Sequence, residues 1–256
     1  MASNDINKEF LYRMIIINAD DWGRFRVDTE AIQVCYMQQR ITSVSAMVFM
    51  EDSERAAKLA KEIGMEVGLH LNFSETFTGD VSPSLFRDYQ NQTKGFLKAS
   101  RYAMVLYNPF LKKQFFNLYH AQTEEFMRLY GYPPSHIDGH QHMHLCANVL
   151  LDGLIPNGMR VRRSFSFWPG EKSFYNRTYR NAVDRWLSRR YRTADYYFDL
   201  THILENDLFK RIIELSKTNN IELNTHPSRA REYDYLLSED YLETMRNLEI
   251  GSYSMI

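Results

Sequence analysis

Four short apolar runs, spread over most of the chain, each end in carboxylates or imidazoles. Met14-Ile15-Ile16-Ile17 meets Asn18-Ala19-Asp20-Asp21, and Met65-Glu66-Val67-Gly68-Leu69 meets His70. His136-Ile137 meets Asp138-Gly139-His140-Gln141-His142-Met143-His144, and Ile221-Glu222-Leu223 meets Asn224-Thr225-His226-Pro227. Runs this short and apolar read as buried strands. In an α/β barrel the carboxyl ends of all strands open on one face, and chemistry sits there. Carboxylates and imidazoles gathered on one face make a metal site with a general acid and base. The expected fold class is α/β, a barrel of about seven or eight βα units.

At 256 residues the chain is within the range of one such barrel, and no repeat, low-complexity tract or Pro/Gly/Ser-rich linker divides it, so residues 1–256 read as a single domain. A net charge of −1 and a pI of about 6.7 argue against nucleic acid or an acidic membrane surface as partner. No apolar run approaches the roughly 18 residues of a membrane helix. Met1-Ala2-Ser3-Asn4-Asp5-Ile6 lacks the basic and apolar regions of a signal peptide. Cys35 and Cys146 are isolated, which suits a reducing compartment. The expected location is cytoplasmic. Arginine is dense from Arg177 to Arg192, where Asp184, Trp186, Leu187 and Tyr191 suggest an amphipathic helix. A solvated helix face is favoured there over a polyanion site.

Strands are expected at Met14–Asn18, Ile41–Met50, Met65–Leu71, His136–Asp138, Met159–Arg163, Asp195–Asp199 and Ile221–Asn224, with a last short one at Ile250–Tyr253. Helices are expected at Thr29–Gln39 capped by Asp28, at Asp52–Ile63 closed by Gly64, and at Leu111–Tyr130 ended by Pro133-Pro134. Others are expected at Tyr175–Arg190, Asn206–Lys217 and Ser238–Leu248. Asn72–Phe110, with Gly79, Pro83 and Pro109, shows no periodicity and reads as a lid or substrate-binding insertion.

Asp20 and Asp21 are adjacent carboxylates, which raise each other's pKa unless a cation intervenes. A metal held by one would leave the other as a base; a plain surface turn is the alternative. His70 is a ligand or an ordinary hydrogen-bonded histidine. His140, His142 and His144 alternate, so an extended segment would send all three to one face; a turn would leave one to reach a metal. Asp138 could orient a histidine from behind. His226, fixed before a proline, suits a general acid or a loop position. Arg162 could hold an anion, orient a carboxylate or lie exposed. Taken together, Asp, two His and water make an open coordination set. With Asp20 as base and His226 as acid, the natural reaction is hydrolysis of an amide or ester.

The motifs Asn18-Ala19-Asp20-Asp21-Trp22-Gly23, Gly68-Leu69-His70-Leu71-Asn72, Asp138-Gly139-His140-Gln141-His142-Met143-His144 and Thr225-His226-Pro227 resemble, in order, those of the YdjC-like carbohydrate deacetylases. The resemblance runs from about Met14 to Tyr253. It implies an irregular (β/α) TIM-like barrel, with Asp21, His70 and His140 as ligands of one divalent metal ion. Mg or Zn is foremost among the metals, and Mn or Co also fits. It further implies Asp20 as catalytic base, His226 as catalytic acid and Arg162 as a substrate-binding residue. The implied substrate is an N-acetylated mono- or oligosaccharide, and a homodimer is compatible. Trp22, Gly139 and Phe73-Ser74 depart from the family's usual residues without removing a ligand. Ser164–Tyr197 matches poorly and, with Asn72–Phe110, is expected to set the substrate. Another amide or ester, or non-catalytic sugar binding, are the alternatives; no glycine-rich phosphate cradle favours a phosphoester.

Overall fold

The computed structural model describes residues 13–81 and 84–256. The segment Met1–Ile6, read as lacking a leader, and Pro83 lie outside the described residues. The strands are β1 (Ile15–Trp22), β2 (Ser43–Ala46), β3 (Val67–Leu71), β4 (Ile137–Gly139), β5 (Tyr196–Asp199), β6 (Ile221–Thr225) and β7 (Ile250–Gly251). The helices are α1 (Arg26–Met37), α2 (Ser53–Ile63), α3 (Leu85–Ala99), α4 (Lys112–Tyr130), α5 (Ala147–Leu151), α6 (Phe174–Ser188), α7 (Leu200–Asn206), α8 (Phe209–Ser216), α9 (Ala230–Leu236) and α10 (Glu239–Met245). None among the described residues is long and apolar enough to cross a membrane.

The strands form one parallel sheet in the order β4-β3-β2-β1-β6-β5, with β7 paired to the first residues of β1. The sheet curls into a half-barrel, and its regular ladders do not close. The expected irregular barrel is thus present as an open, barrel-like half. The strand expected at Met159–Arg163 survives only as single bridges, Ile137 with Val161 and Arg160 with Arg192. That segment nevertheless spans the gap between β4 and β5. Arg162 N donates to Ile137 O at 3.1 Å on one side, and Val161 N to Arg192 O at 2.9 Å on the other.

Alternation along the strands separates two faces. Outward, Ile15, Ile17, Val44, Val67, Leu69, Ile137, Phe198, Ile221 and Leu223 join the main core with the helices. Inward, Asn18 and Asp20 of β1 meet Ser45 of β2, His70 of β3, Asp138 of β4 and Glu222 of β6, all buried. The usual (β/α) barrel fills its interior with branched apolar side chains. Here the interior is a hydrogen-bonded polar layer, closed below by the small apolar cluster of Met14, Ile16 and Tyr253.

Several local expectations change. The second strand is four residues long and stops at Ala46. Asp28 does not cap α1: Phe25 holds the cap position with no side-chain bond, and Asp28 lies buried in the first turn. The region 72–110 contains α3, whose buried positions include Gln90 and Thr93. Those polar residues hid its period. They anchor the loop before it: the Gln90 side chain accepts from Phe77 N at 2.8 Å, and Thr93 donates to Phe73 O at 3.3 Å.

Gly68 on β3 is what lets His136 enter the interior. A Cβ there would lie 2.3 Å from His136 Cε1. The His136 ring has no room to withdraw, since it stacks 3.7 Å from Tyr253 and lies 3.0 Å from Ser45 Oγ through Nε2. Gly68→Ala is therefore expected to cost about 2 kcal/mol of stability by overpacking. Urea unfolding measures this; an unchanged midpoint would refute the tight fit.

Candidate active site

β1 ends in a distortion that turns two neighbouring carboxylates to the same side. A regular strand would send Asp20 and Asp21 to opposite faces. The register with β2 shifts between Ala19 and Trp22, and Asp21 takes a left-handed φ of 70°. Aspartate is among the few residues that tolerate this conformation. Both side chains thus face one cavity of about 460 Å³, which His70, His140 and His226 also line.

Asp21, His70 and His140 converge. Asp21 Oδ1 lies 3.6 Å from His70 Nε2 and 3.2 Å from His140 Nδ1. Behind His70, Nδ1 donates to Asp138 Oδ1 at 2.8 Å, which leaves Nε2 as the ring nitrogen that faces the cavity. Behind His140, Nε2 lies 2.9 Å from Glu75 Oε2. One carboxylate and two oriented imidazoles, each backed by a second carboxylate, fit a divalent cation. Two other groups also bring carboxylates and imidazole within ligating reach: Asp20, His70 and Asp138, and Asp199, His226 and Glu232. Their carboxylates are already engaged. Asp20 and Asp138 are paired to Arg162, while Glu232 accepts from Thr225 Oγ1 at 2.7 Å and His226 N at 2.6 Å.

The charges agree with this arrangement. Burial would raise the Asp21 carboxyl, but its hydrogen bond to His140 and the charges of His70, His140 and His226 hold it well below the usual range. Burial would lower His140, yet Asp21 and Glu75 push it up to about 9. A cation bound there takes the place of that proton.

The histidine run does not extend as one face. It forms a 3₁₀ turn over His140–Leu145, with Gln141 and His142 at left-handed φ values of 52° and 60°. His140 alone reaches Asp21. His144 is buried, and its Nε2 donates to Arg162 O at 3.0 Å. His142 stands edge-on to Phe165 at 4.3 Å between ring centroids, at the cavity wall. Burial lowers His144 to about 4 and drives His142 well below its ordinary value, so both are neutral.

Arg162 departs from the substrate-binding expectation. It is 1% exposed and absent from the cavity wall. Its three nitrogens are spent on carboxylates: Nη1 lies 2.8 Å from Asp20 Oδ2, Nη2 2.7 Å from Asp138 Oδ2, and Nε 2.6 Å from Glu222 Oε1. Nη2 also donates to Asp20 Oδ1 at 2.8 Å. Its position matches the reading of an arginine that orients a carboxylate. Asp20 Oδ1 takes a second donor, Asn18 Nδ2, at 3.0 Å. Asp20 Oδ2 faces His226 Nε2 at 4.0 Å.

Sequence reasoning missed Glu75 and Arg24. Arg24 bridges Asp21 and Glu75, with Nη1 3.2 Å from Asp21 Oδ2 and Nη2 2.8 Å from Glu75 Oε1. The available signal was Asn72, a turn former just past β3. Its Oδ1 accepts from Glu75 N at 2.8 Å and Ser74 N at 3.2 Å, folding Glu75 back over the site.

Glu222 gives a pH test of the buried network. Burial raises its carboxyl from 4.5 to about 7, with Arg162 opposing. The fold therefore binds a proton that the unfolded chain releases, and stability falls as pH rises from about 4.5 through 7. Wild type is expected to lose on the order of 3 kcal/mol across that window relative to Glu222→Gln. Parallel denaturation curves for the two proteins would contradict the buried proton.

A family model described as YdjC-like protein matches residues 14–247. A chitooligosaccharide deacetylase of Proteus mirabilis is 34% identical over 138 residues, 53% of this chain and 52% of its own. A carbohydrate deacetylase of Danio rerio is 32% identical over 137 residues, 53% of this chain and 43% of its own. In these matches the chain spans about half the length of the relatives. A chitooligosaccharide deacetylase of Enterobacter sp. is 25% identical across 94% of this chain and 98% of its own. Among solved structures, one from Enterococcus faecalis described for cellobiose-phosphate cleavage superposes with a TM-score of 0.66 at 16% identity, covering 94% of this chain and 97% of its own. That likeness shows a shared fold.

Proposed function

The chain belongs to the YdjC-like family, and on that premise we propose that it is a metal-dependent hydrolase that removes an acetyl group from an N-acetylated mono- or oligosaccharide. One observation carries the reading. Asp21, His70 and His140 converge on a point in the same cavity that holds Asp20 and His226. The relatives named for deacetylation of carbohydrate support the substrate class.

Asp21 Oδ1, His70 Nε2 and His140 Nδ1 would hold the ion, with Asp138 and Glu75 orienting the two rings. A bound divalent ion polarises an acyl carbonyl and makes water a nucleophile near neutral pH. Mg and Zn head the candidates, with Mn and Co also suited to one carboxylate and two imidazoles.

Asp20 takes the proton from the attacking water. Arg162 fixes the carboxylate plane, and Asn18 occupies a second lone pair on Oδ1, so Oδ2 is the oxygen left facing the cavity. His226 stands across from it and gives a proton to the departing sugar amine. The bond of His226 N to Glu232 holds the acid's backbone in place. Arg162 serves as a positioning residue, not as a substrate ligand.

Asp20→Asn is expected to retain one equivalent of metal while kcat for acetate release falls about a hundred- to ten-thousand-fold. Near-wild-type kcat would move the base elsewhere. Chelation is expected to abolish acetate release from N-acetylglucosamine and chitobiose, and added metal to restore it. His140→Ala should weaken metal binding in calorimetry. Full activity after complete chelation would sink the metal-dependent reading.

A further inference from the structure

A net charge of −1 describes the whole chain and conceals a local excess of positive charge. Between Asp88 and Glu124 the sequence has no carboxylate, while Lys94, Lys98, Arg101, Lys112 and Lys113 supply five cations. The stretch comprises most of α3, the connector after it and the first half of α4. Among the described residues, the one ion pair these cations make is Lys112 Nζ with Asp152 Oδ1 at 3.1 Å. Lys98, Arg101 and Lys113 are exposed.

The same stretch turns apolar side chains outward. Phe110, near the end of the connector, is 88% exposed, and Tyr102, Leu106 and Phe116 are exposed as well. Leu151 of α5, also exposed, precedes the Asp152 that ties Lys112 to Tyr107, whose hydroxyl donates to Oδ1 at 3.0 Å. The connector is fixed in place with these tips outward. Asn108 N donates to Asn148 Oδ1 at 3.0 Å, and Asn148 Nδ2 donates to Asn108 O at 2.9 Å. Asn108 Oδ1 in turn accepts from Phe110 N at 3.1 Å, so the backbone of the most exposed residue is held.

α4 leads from this connector back toward the start of β4, so the connector sits at the carboxyl end of the strands, the end that holds Asp20, Asp21 and His226. Exposed apolar surface of this kind marks a docking site for a protein or a membrane. Lysine is depleted at protein–protein interfaces. Lysine and arginine around exposed Phe, Tyr and Leu instead match an anionic bilayer, where cations meet phosphate headgroups and apolar tips enter the acyl boundary. Tyr102 and Tyr107 suit that zone, with an apolar ring and a polar tip. We propose that the connector between α3 and α4 is a docking surface for an anionic lipid bilayer, with Phe110 as its inserted tip. Such docking needs no spanning helix and is independent of the hydrolase reading.

Cosedimentation of the full chain with vesicles of phosphatidylcholine, and with vesicles that also contain phosphatidylglycerol, tests the surface. Wild type is expected to sediment with the anionic vesicles alone, and less as salt rises. Phe110→Ser should weaken binding at least tenfold at an unchanged melting temperature. Each cation near an anionic surface is worth about a fivefold change in affinity, so Lys98→Gln/Arg101→Gln/Lys113→Gln should also weaken binding at least tenfold. Arg185, Arg189 and Arg190 are exposed on α6 and the turn after it, as a solvated face requires. Arg185→Gln/Arg189→Gln/Arg190→Gln removes as many charges from that face and should leave binding unchanged. Phe110→Trp should be quenched by brominated acyl chains beyond the level of wild type. Absence of wild type from the anionic vesicle pellet, equal binding by Phe110→Ser, or an equal loss in the α6 variant would overturn the docking surface. If Phe110→Ser instead splits an oligomer in sedimentation velocity and leaves vesicle binding intact, the surface joins copies of this chain and lipid docking falls.

Discussion

The polar layer inside the half-barrel is arranged around one buried cation. Arg162 takes the place that branched aliphatic layers fill in other barrels, and it meets Asp20, Asp138 and Glu222 at 2.8, 2.7 and 2.6 Å. Each of these carboxylates is buried too. A charge withdrawn from water costs several kcal/mol unless it is paired, and removing one partner of such a pair typically costs about 3–5 kcal/mol. The cluster is thus poor as a source of net stability but strict as a constraint. Any conformation that parts Arg162 from β1, β4 or β6 strands a charge in a dry interior.

That constraint reaches the cavity through two relays. Along one, Arg162 holds Asp138, and Asp138 holds His70 Nδ1, leaving Nε2 toward Asp21. Along the other, Arg162 holds both oxygens of Asp20 opposite His226. The Asp21–His70–His140 group and the Asp20–His226 pair therefore share one anchor. The segment carrying it is the irregular piece that spans the open sheet. Irregularity there is useful: a full strand would commit its backbone to longer ladders, whereas this segment makes two backbone bonds to Ile137 and two to Arg192 and sends the Arg162 side chain across the interior.

Much of this is legible in the sequence. β1, β3, β4 and β6 were readable because each is an apolar run stopped by polar residues, and five of the six expected site residues line one cavity. What stayed hidden depended on backbone geometry and on distant partners. Alternation of His140, His142 and His144 implies a common face only if φ stays negative, and Gln141 and His142 break that condition. The buried side of α3 carries Gln90 and Thr93, which look like solvent positions until the loop carbonyls and amides they serve are seen. Arg162 reads as an anion binder in isolation, and the anions it binds are the protein's own: Asp138, with Glu222 and Asp20 lying 60 and 142 residues away along the chain.

Those separations carry a consequence for how the molecule comes off the ribosome. Asp21, His70 and His140 have all been synthesised before Arg162 appears, and Glu222 and His226 follow much later. A nascent chain ending near residue 150 holds Asp21, His70 and His140, yet Asp20 and Asp138 still lack their counter-charge. Burying them then is unfavourable, so the half-made barrel stays hydrated and open. Assembly of the site waits for the connector and then for β6. Long-range closures of this kind slow folding, because loop entropy is lost before the contacts that reward it form. The same delay keeps Asp21, His70 and His140 from being gathered ahead of the walls that confine them.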